Sequence, residues 1–365
     1  MKNAGYLALS AIFSSALAVP ITNGTVRFNV AKLDGSRVGR SDVNILTFAL
    51  ALEYLETAFY TEAVEKFSAA DFEDPSLYDD LVRLARDEQV HVDVLSQTLQ
   101  QLRQDVPAPC QYSFPYDSPA GFITLASIIE GVGVSAYAGA STSIRNPNVL
   151  SMAAAILPVE ARHDAILRLA AGIAPYASPF DVPLDFNQAW SLASQFIVPG
   201  SCPAGYAGLR LTAFPPLALV ATDNTTAGAV QAGDTITLKA DMSLQEEGAS
   251  LSLKADLSLS HSEKARHLEH RRHVPLHQRS HERRARRDRT VYAAFLTAMG
   301  ATMMEVEVKG NTVTTTVPEG IAGQVYVILT TNSRNFHDRY TIAGPAIIEV
   351  EDQLTAEGST AEEEQ

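Results

Sequence analysis

Glu53 precedes Tyr60 by seven residues, and Glu88-Gln-Val-His91 follows on the next helical stretch. Glu130 precedes Tyr137 by the same interval, and Glu160-Ala-Arg-His163 follows in turn. Seven residues are two helical turns and three are just under one, so each pair shares a helix face. Four helices turning these faces inward would gather four carboxylates and two imidazoles. That is the ligand set of a carboxylate-bridged dimetal centre in a four-helix bundle. With 22 Glu and 9 His in 365 residues, roughly half a Glu-x-x-His is expected by chance, so one copy alone says little. Here there are two, each in an apolar helical segment and each preceded by a glutamate on the helix before.

Glu130 lies in Phe122-Ile-Thr-Leu-Ala-Ser-Ile-Ile-Glu-Gly-Val-Gly-Val, with no charged neighbour within eight residues on either side. A buried carboxylate without a partner is expensive, so it should be paired, protonated or metal-bound. The order of ligands in the repeat assigns Glu88 and Glu160 as bridges and Glu53 and Glu130 as terminal carboxylates, with His91 and His163 one on each ion. Carboxylate and imidazole donors without thiolate suit two Fe or Mn ions, and Zn accepts the same donors. The histidines must be neutral to ligate, so acid should release the metal. Tyr60 and Tyr137 have two readings: hydrogen-bond or electron donors beside an iron pair reacting with O2 or peroxide, or plain packing in the helix core.

Three segments carry a resemblance: Asn44-Ile-Leu-Thr-Phe-Ala-Leu-Ala-Leu-Glu-Tyr-Leu-Glu-Thr-Ala-Phe-Tyr60, Asp87-Glu88-Gln89-Val90-His91 and Val159-Glu160-Ala161-Arg162-His163. They resemble the ferritin-like superfamily, and within it a secreted fungal group of stress-response and late-sexual-development proteins related to plant desiccation-associated proteins. The resemblance covers roughly residues 41–200 and implies a metal shell of Glu53, Glu88, His91, Glu130, Glu160 and His163. It also implies that Tyr60 and Tyr137 partner the ligating carboxylates.

The expected fold is α+β and multidomain: a ferritin-like up-down helical bundle with one long crossover over 41–203, then a small antiparallel β-sandwich over 208–350. Ser41-Asp42 offers N-cap chemistry for a first helix running to about Phe67. A second begins at Pro75 and ends near Gln104. The connection through Pro107 to Pro119 must cross the bundle, as one connection does in ferritin-like bundles. A third helix spans about 119–143, and Asn146-Pro147 opens a fourth that ends near Gly172. Pro158 inside it removes a backbone bond and should kink it two residues before Glu160. Helical signals return at about 185–197. Short strands are expected at Leu209-Arg-Leu-Thr-Ala, Thr235-Ile-Thr-Leu-Lys, Glu305-Val-Glu-Val, Thr312-Val-Thr-Thr-Thr-Val and Gln324-Val-Tyr-Val-Ile-Leu-Thr. His337 and Asp338 read as turn residues.

The first 18 residues read as a secretory signal: Lys2, the apolar run Leu7 to Leu17, and a small-residue cleavage site at Ala16-Leu17-Ala18. Residues 19–40 form an irregular leader. No later stretch is expected to be long and apolar enough to span a bilayer, and the acidic tail over 351–365 has no apolar segment of the kind a lipid anchor needs. The expected location is extracellular, with cell-wall association a further expectation. Cys110 and Cys202 lie in Pro-rich loops. One disulfide is the simplest reading in an oxidising compartment, with free thiols as the alternative. Asn23 and Asn224 fit the glycosylation pattern.

Net charge is −14, and residues 261–290 carry ten Lys/Arg against four Asp/Glu, so the rest of the chain is more acidic still. Nucleic acid is therefore not the expected partner of the folded body. Residues 242–290 interrupt the sandwich. Leu238-Lys-Ala-Asp-Met-Ser-Leu244 recurs as Leu253-Lys-Ala-Asp-Leu-Ser-Leu259, and six of the nine histidines follow among arginines. Such composition cannot order itself. Loose metal binding, polyanion binding such as wall polysaccharide, proteolytic processing and a translated intron are competing readings. The function expected is that of an exported dimetal-carboxylate protein, a ferroxidase or oxidoreductase type of site acting in metal oxidation, sequestration or peroxide protection. The rival is a structural stress- or development-associated wall protein with a vestigial or non-redox site.

Overall fold

The computed structural model describes residues 38–223, 230–240, 244–247, 250–253, 290–334 and 337–351. The expected signal peptide, most of the leader, the acceptor residues Asn23 and Asn224, the His/Arg-rich stretch and the acidic tail beyond residue 351 lie outside them.

Four long helices come first: α1 (Arg40–Lys66), α2 (Ser76–Gln101), α3 (Pro119–Ser141) and α4 (Pro147–Ala170). Two begin on the same signal, a polar cap followed by proline. Ser118 accepts from Gly121 N, and Asn146 accepts from Asn148 N and Val149 N; proline at the first helical position loses nothing there. The start of α1 differs from expectation. Gly39 precedes the first turn, and Asp42, inside it, accepts instead from Arg145 N at 2.7 Å, holding the α3–α4 turn. Helix α4 runs unbroken across Pro158. Contrary to expectation, α3 is long and apolar enough by length and composition to cross a membrane. Its apolarity has another cause, since 67% of its most apolar window is buried within the protein.

The α2–α3 crossover is anchored at both ends of its span. Phe114 and Phe122 pack on Phe59, with ring centroids 5.0 and 4.9 Å apart. Val198 N donates to Gln111 O and Ser113 N to Phe196 O, both at 2.9 Å. Cys110 and Cys202 are joined by a disulfide that closes 92 residues of chain. Replacing both cysteines by alanine should lower stability by about 2–4 kcal/mol, measured as a denaturant midpoint; an unchanged midpoint would show that the crossover is held without it.

A short helix α5 (Phe186–Ala193), opened by a reciprocal Asp185–Gln188 capping box, leads into the β region. The residues expected to start the sandwich do not form a strand. Thr212 N and Phe214 N donate to the side chains of Asn187 and Ser191 on α5, so the backbone at 209–214 is committed to the bundle. The strands are β1 (Leu217–Thr222), β2 (Thr235–Ala240), β3 (Leu244–Glu247), β4 (Ser250–Leu253), β5 (Tyr292–Thr297), β6 (Gly300–Glu305), β7 (Glu307–Lys309), β8 (Thr312–Thr316), β9 (Gly323–Thr330) and β10 (Thr341–Val350). They make two antiparallel four-stranded sheets, ordered β1-β2-β8-β7 and β10-β9-β5-β6, and a separate β3-β4 hairpin inside the expected insert. Glu305-Val-Glu-Val is not one strand: the chain leaves β6 at Glu305 and enters β7, in the other sheet, at Glu307. His337 and Asp338 sit at a turn, as expected, with Asp338 accepting from Asn187 Nδ2 at 2.6 Å.

Strand alternation explains how sandwich and bundle join. Ala293, Phe295, Val325, Val327 and Leu329 face the other sheet, while Ala294, Leu296, Tyr326 and Ile328 pack into the bundle core. The Tyr326 hydroxyl donates to Gly131 O of α3 at 2.9 Å, and Arg168 of α4 makes a two-pronged pair with Glu349 of β10. Two elements approach too closely for any side chain at Gly139, where a Cβ would lie 1.8 Å from Leu184 O.

Candidate metal centre

Each long helix sends its acidic face to one buried focus. Helix α1 supplies Glu53 and Tyr60, α2 Glu88 and His91, α3 Glu130 and Tyr137, and α4 Glu160 and His163. The four glutamates and Tyr60 have no exposed surface, and Tyr137 and the two histidines have very little. Ligand atoms converge in two overlapping groups, each within 4.8 Å: Glu53, Glu88, His91 and Glu160; and Glu88, Glu130, Glu160 and His163. Glu88 and Glu160 belong to both. Pro158 therefore does not carry Glu160 away from the focus.

The two copies of the repeat interlock. Tyr60 of the first donates its hydroxyl proton to Glu130 of the second, and Tyr137 of the second donates to Glu53 of the first. Burial, then the neighbouring carboxylates, raises both phenols well above their ordinary range, so they stay protonated donors. His91 Nδ1 lies 3.2 Å from Glu53, 3.3 Å from Glu88 and 3.2 Å from Glu160. His163 Nδ1 lies 2.9 Å from Glu88 and 3.5 Å from Glu130, and its Nε2 is 3.6 Å from half-exposed Asp87.

These contacts are short, yet many are not hydrogen bonds in direction. Glu53 Oε2, Glu88 Oε1, Glu130 Oε2, both oxygens of Glu160 and His163 Nδ1 are buried without a hydrogen-bond partner. Buried polar atoms are nearly always satisfied, so six such atoms at one focus mark a place built for something else. Burial raises Glu53 to about 7 despite the pull of His91, and burial with Glu88 and Glu53 nearby raises Glu160 well above the carboxylate range. Burial alone would lower the imidazoles. The carboxylates around them outweigh it, holding His91 far above its usual value and His163 up to about 12.

Two acids here escaped the sequence reading. Glu56 on α1 is buried, and burial followed by Glu160 and Glu53 raises it well above the usual range. Its spacing of three from Glu53 was a signal, but the second copy of the repeat has Gly133 at the matching position. Asp164, next to His163, is half-buried and raised to about 8, by burial first.

Residues 41–172 match the family model described as the ferritin-like domain. Protein rds1 from Schizosaccharomyces pombe is 29% identical over 183 residues, which is 49% of this chain and 44% of that protein. This chain thus spans less than half the length of that relative. A solved structure of a conserved hypothetical protein from Mycobacterium tuberculosis is 19% identical, covers 38% of this chain and 96% of its own, and superposes with a TM-score of 0.33. The helical region that carries the buried carboxylate–histidine cluster is the part of the chain that is similar to ferritin-like domains.

Proposed function

We propose that this chain is an exported dimetal-carboxylate protein that binds two Fe or Mn ions in its bundle and acts in metal oxidation, sequestration or peroxide protection. The observation that carries the reading is the pair of overlapping donor groups sharing Glu88 and Glu160, lined by buried atoms without hydrogen-bond partners. Four carboxylates balance the charge of two divalent cations, which would offset the burial, and after it the neighbouring carboxylates, that otherwise keep Glu53 and Glu160 raised. The Cys110–Cys202 disulfide supports an oxidising, extracellular setting.

In this reading Glu88 and Glu160 would serve both ions, Glu53 and His91 would hold one, and Glu130 and His163 would hold the other. Iron or manganese bound there would supply one-electron redox chemistry toward O2 or peroxide. The chain's own residues orient and insulate it. Tyr60 and Tyr137 lock the terminal carboxylates by hydrogen bonds across the repeat, and Asp87 fixes the outer nitrogen of His163, as partners of metal ligands commonly do. Tyr60→Phe and Tyr137→Phe should therefore each weaken metal affinity by roughly 10- to 100-fold, read by competition with a chelator. Affinities equal to wild type would reduce the tyrosines to packing. The activity test is stopped-flow oxidation of anaerobically loaded Fe(II) by O2 or peroxide: about two Fe(II) should be oxidised per chain, faster than free Fe(II) at the same pH. Oxidation no faster than in buffer would contradict the redox part of the proposal.

A further inference from the structure

The cluster has two unlike sides. Between α2 and α4 the histidines come close to the surface, next to half-exposed Asp87. Between α1 and α3 the repeat breaks its own symmetry, with Glu56 three residues after Glu53 and Gly133 three residues after Glu130. The two positions face each other. A Cβ on Gly133 would lie 2.8 Å from Glu56 Oε1 and 2.9 Å from Glu160 Oε2. One side chain fits there, not two, and the oxygens of Glu56 and Glu160 occupy the space a Cβ on Gly133 would need.

Glu56 and Gly133 also line a cavity of about 320 Å³, walled by α1, α3, α5, β1 and β10. It lies where bundle meets sandwich, the kind of junction at which small-molecule sites occur, and its volume falls at the low end of their range of roughly 300–1,000 Å³. Its walls are apolar: Leu55, Ile129, Val132, Leu192 and Ile347 are representative. Among the described residues that line it, Glu56 is the one ionisable group and Gln195 the one other polar side chain. Water would find few partners on such walls. An anion would lose its hydration on such walls with no cation among the described lining residues to replace it, and a strongly polar solute would lose hydrogen bonds it could not replace.

We propose that this cavity binds a neutral, largely apolar organic molecule whose single hydrogen-bonding group sits at Glu56, within reach of Glu160. That such a molecule meets a reactive centre rests on the dimetal reading; the binding site itself stands on Glu56, Gly133 and the apolar walls.

The test is fluorescence titration of the full chain, metal-free and metal-loaded, with 2-naphthol and with 2-naphthoate, an anion of similar outline. We expect one saturable 2-naphthol site per chain, at least tenfold weaker binding of 2-naphthoate, and a smaller preference for 2-naphthol over naphthalene in Glu56→Leu. Ala193→Phe on α5 and Ile347→Trp on β10 enter the cavity from walls that carry no metal ligand. Each should weaken 2-naphthol at least tenfold while leaving the melting temperature and metal content at wild-type values, and the second serves if the first does not fold. Absence of saturable binding, equal binding of the anion, or wild-type affinity in the folded cavity-filling variants would overturn the proposal. Failure of the dimetal reading would show separately, as absent metal in a chain that still binds 2-naphthol.

Discussion

Alanine at Glu88 or Glu160 should empty both metal positions, whereas alanine at Glu53 or Glu130 should empty one. The difference follows from membership: Glu88 and Glu160 belong to both donor groups, and the other two glutamates to one each. Removing a shared carboxylate leaves each ion with three protein donors and the site with one negative charge too few. Removing a terminal one leaves the other group's four donors in place. Metal analysis of the purified variants should therefore read near zero for the first pair and roughly one ion per chain for the second. A centre in which all four variants lost metal equally would contradict the assignment of bridges. A second consequence separates this from a folding defect. The metal-free Glu160→Ala chain should melt higher than metal-free wild type, because it no longer buries a carboxylate that burial and its neighbours hold unfavourably. Glu130→Gln should keep the fold and bind less metal, since an amide cannot supply the charge.

The metal-free protein should also lose stability as pH rises, the reverse of what most carboxylate-rich chains do on leaving acid. Glu53 is held at about 7 against an ordinary 4.5. Between those values the folded chain keeps a proton that the unfolded chain has lost, so stability falls through that window. Glu56 and Glu160 are raised further and extend the same slope upward. The histidines act in the same direction. Their folded values lie above the ordinary 6.5, so their contribution is complete below that pH and is lost as pH climbs toward the folded value, about 12 for His163. Groups of the same sign add, and the melting temperature of the metal-free chain should drop by roughly 5–10 °C between about pH 5 and about pH 9. With two ions bound, the metal takes the place of these protons and the slope should flatten or reverse. Calorimetry on both forms checks this. A metal-free chain that gains stability over the same span would mean that the cluster is ionised and satisfied without metal.

Helix chemistry was legible in the chain itself because it is local. Asn146-Pro147 marks its helix start through groups two or three residues apart, and Glu53/Tyr60 and Glu88/His91 share faces by period alone. The reciprocity of the tyrosines was not legible. Seven residues place Tyr60 on the face of Glu53, but its hydroxyl is spent on Glu130, seventy positions away, a choice made by helix packing. Glu56 has no counterpart in the second copy of the repeat, where Gly133 stands at the matching position, so the repeat does not mark it. In the β region the misses have three causes. Strand β5 is apolar on both faces because one face meets the other sheet and the next meets the bundle, which blurs the alternation that marks a half-buried strand. Strand β10 carries Gly344-Pro345 in its interior, a pairing breaker, and its register with β9 shifts across that point. The run at 209–213 alternates like a strand, yet its neighbours on α5 claim its backbone before any sheet can.

The central claim is that two ions sit between these four helices, and anomalous diffraction at the iron edge from crystals loaded anaerobically with Fe(II) tests it most directly. Two peaks are predicted, one among Glu53, Glu88, His91 and Glu160 and one among Glu88, Glu130, Glu160 and His163. Fully loaded crystals with no peak between the helices, or with iron only elsewhere on the chain, would contradict it.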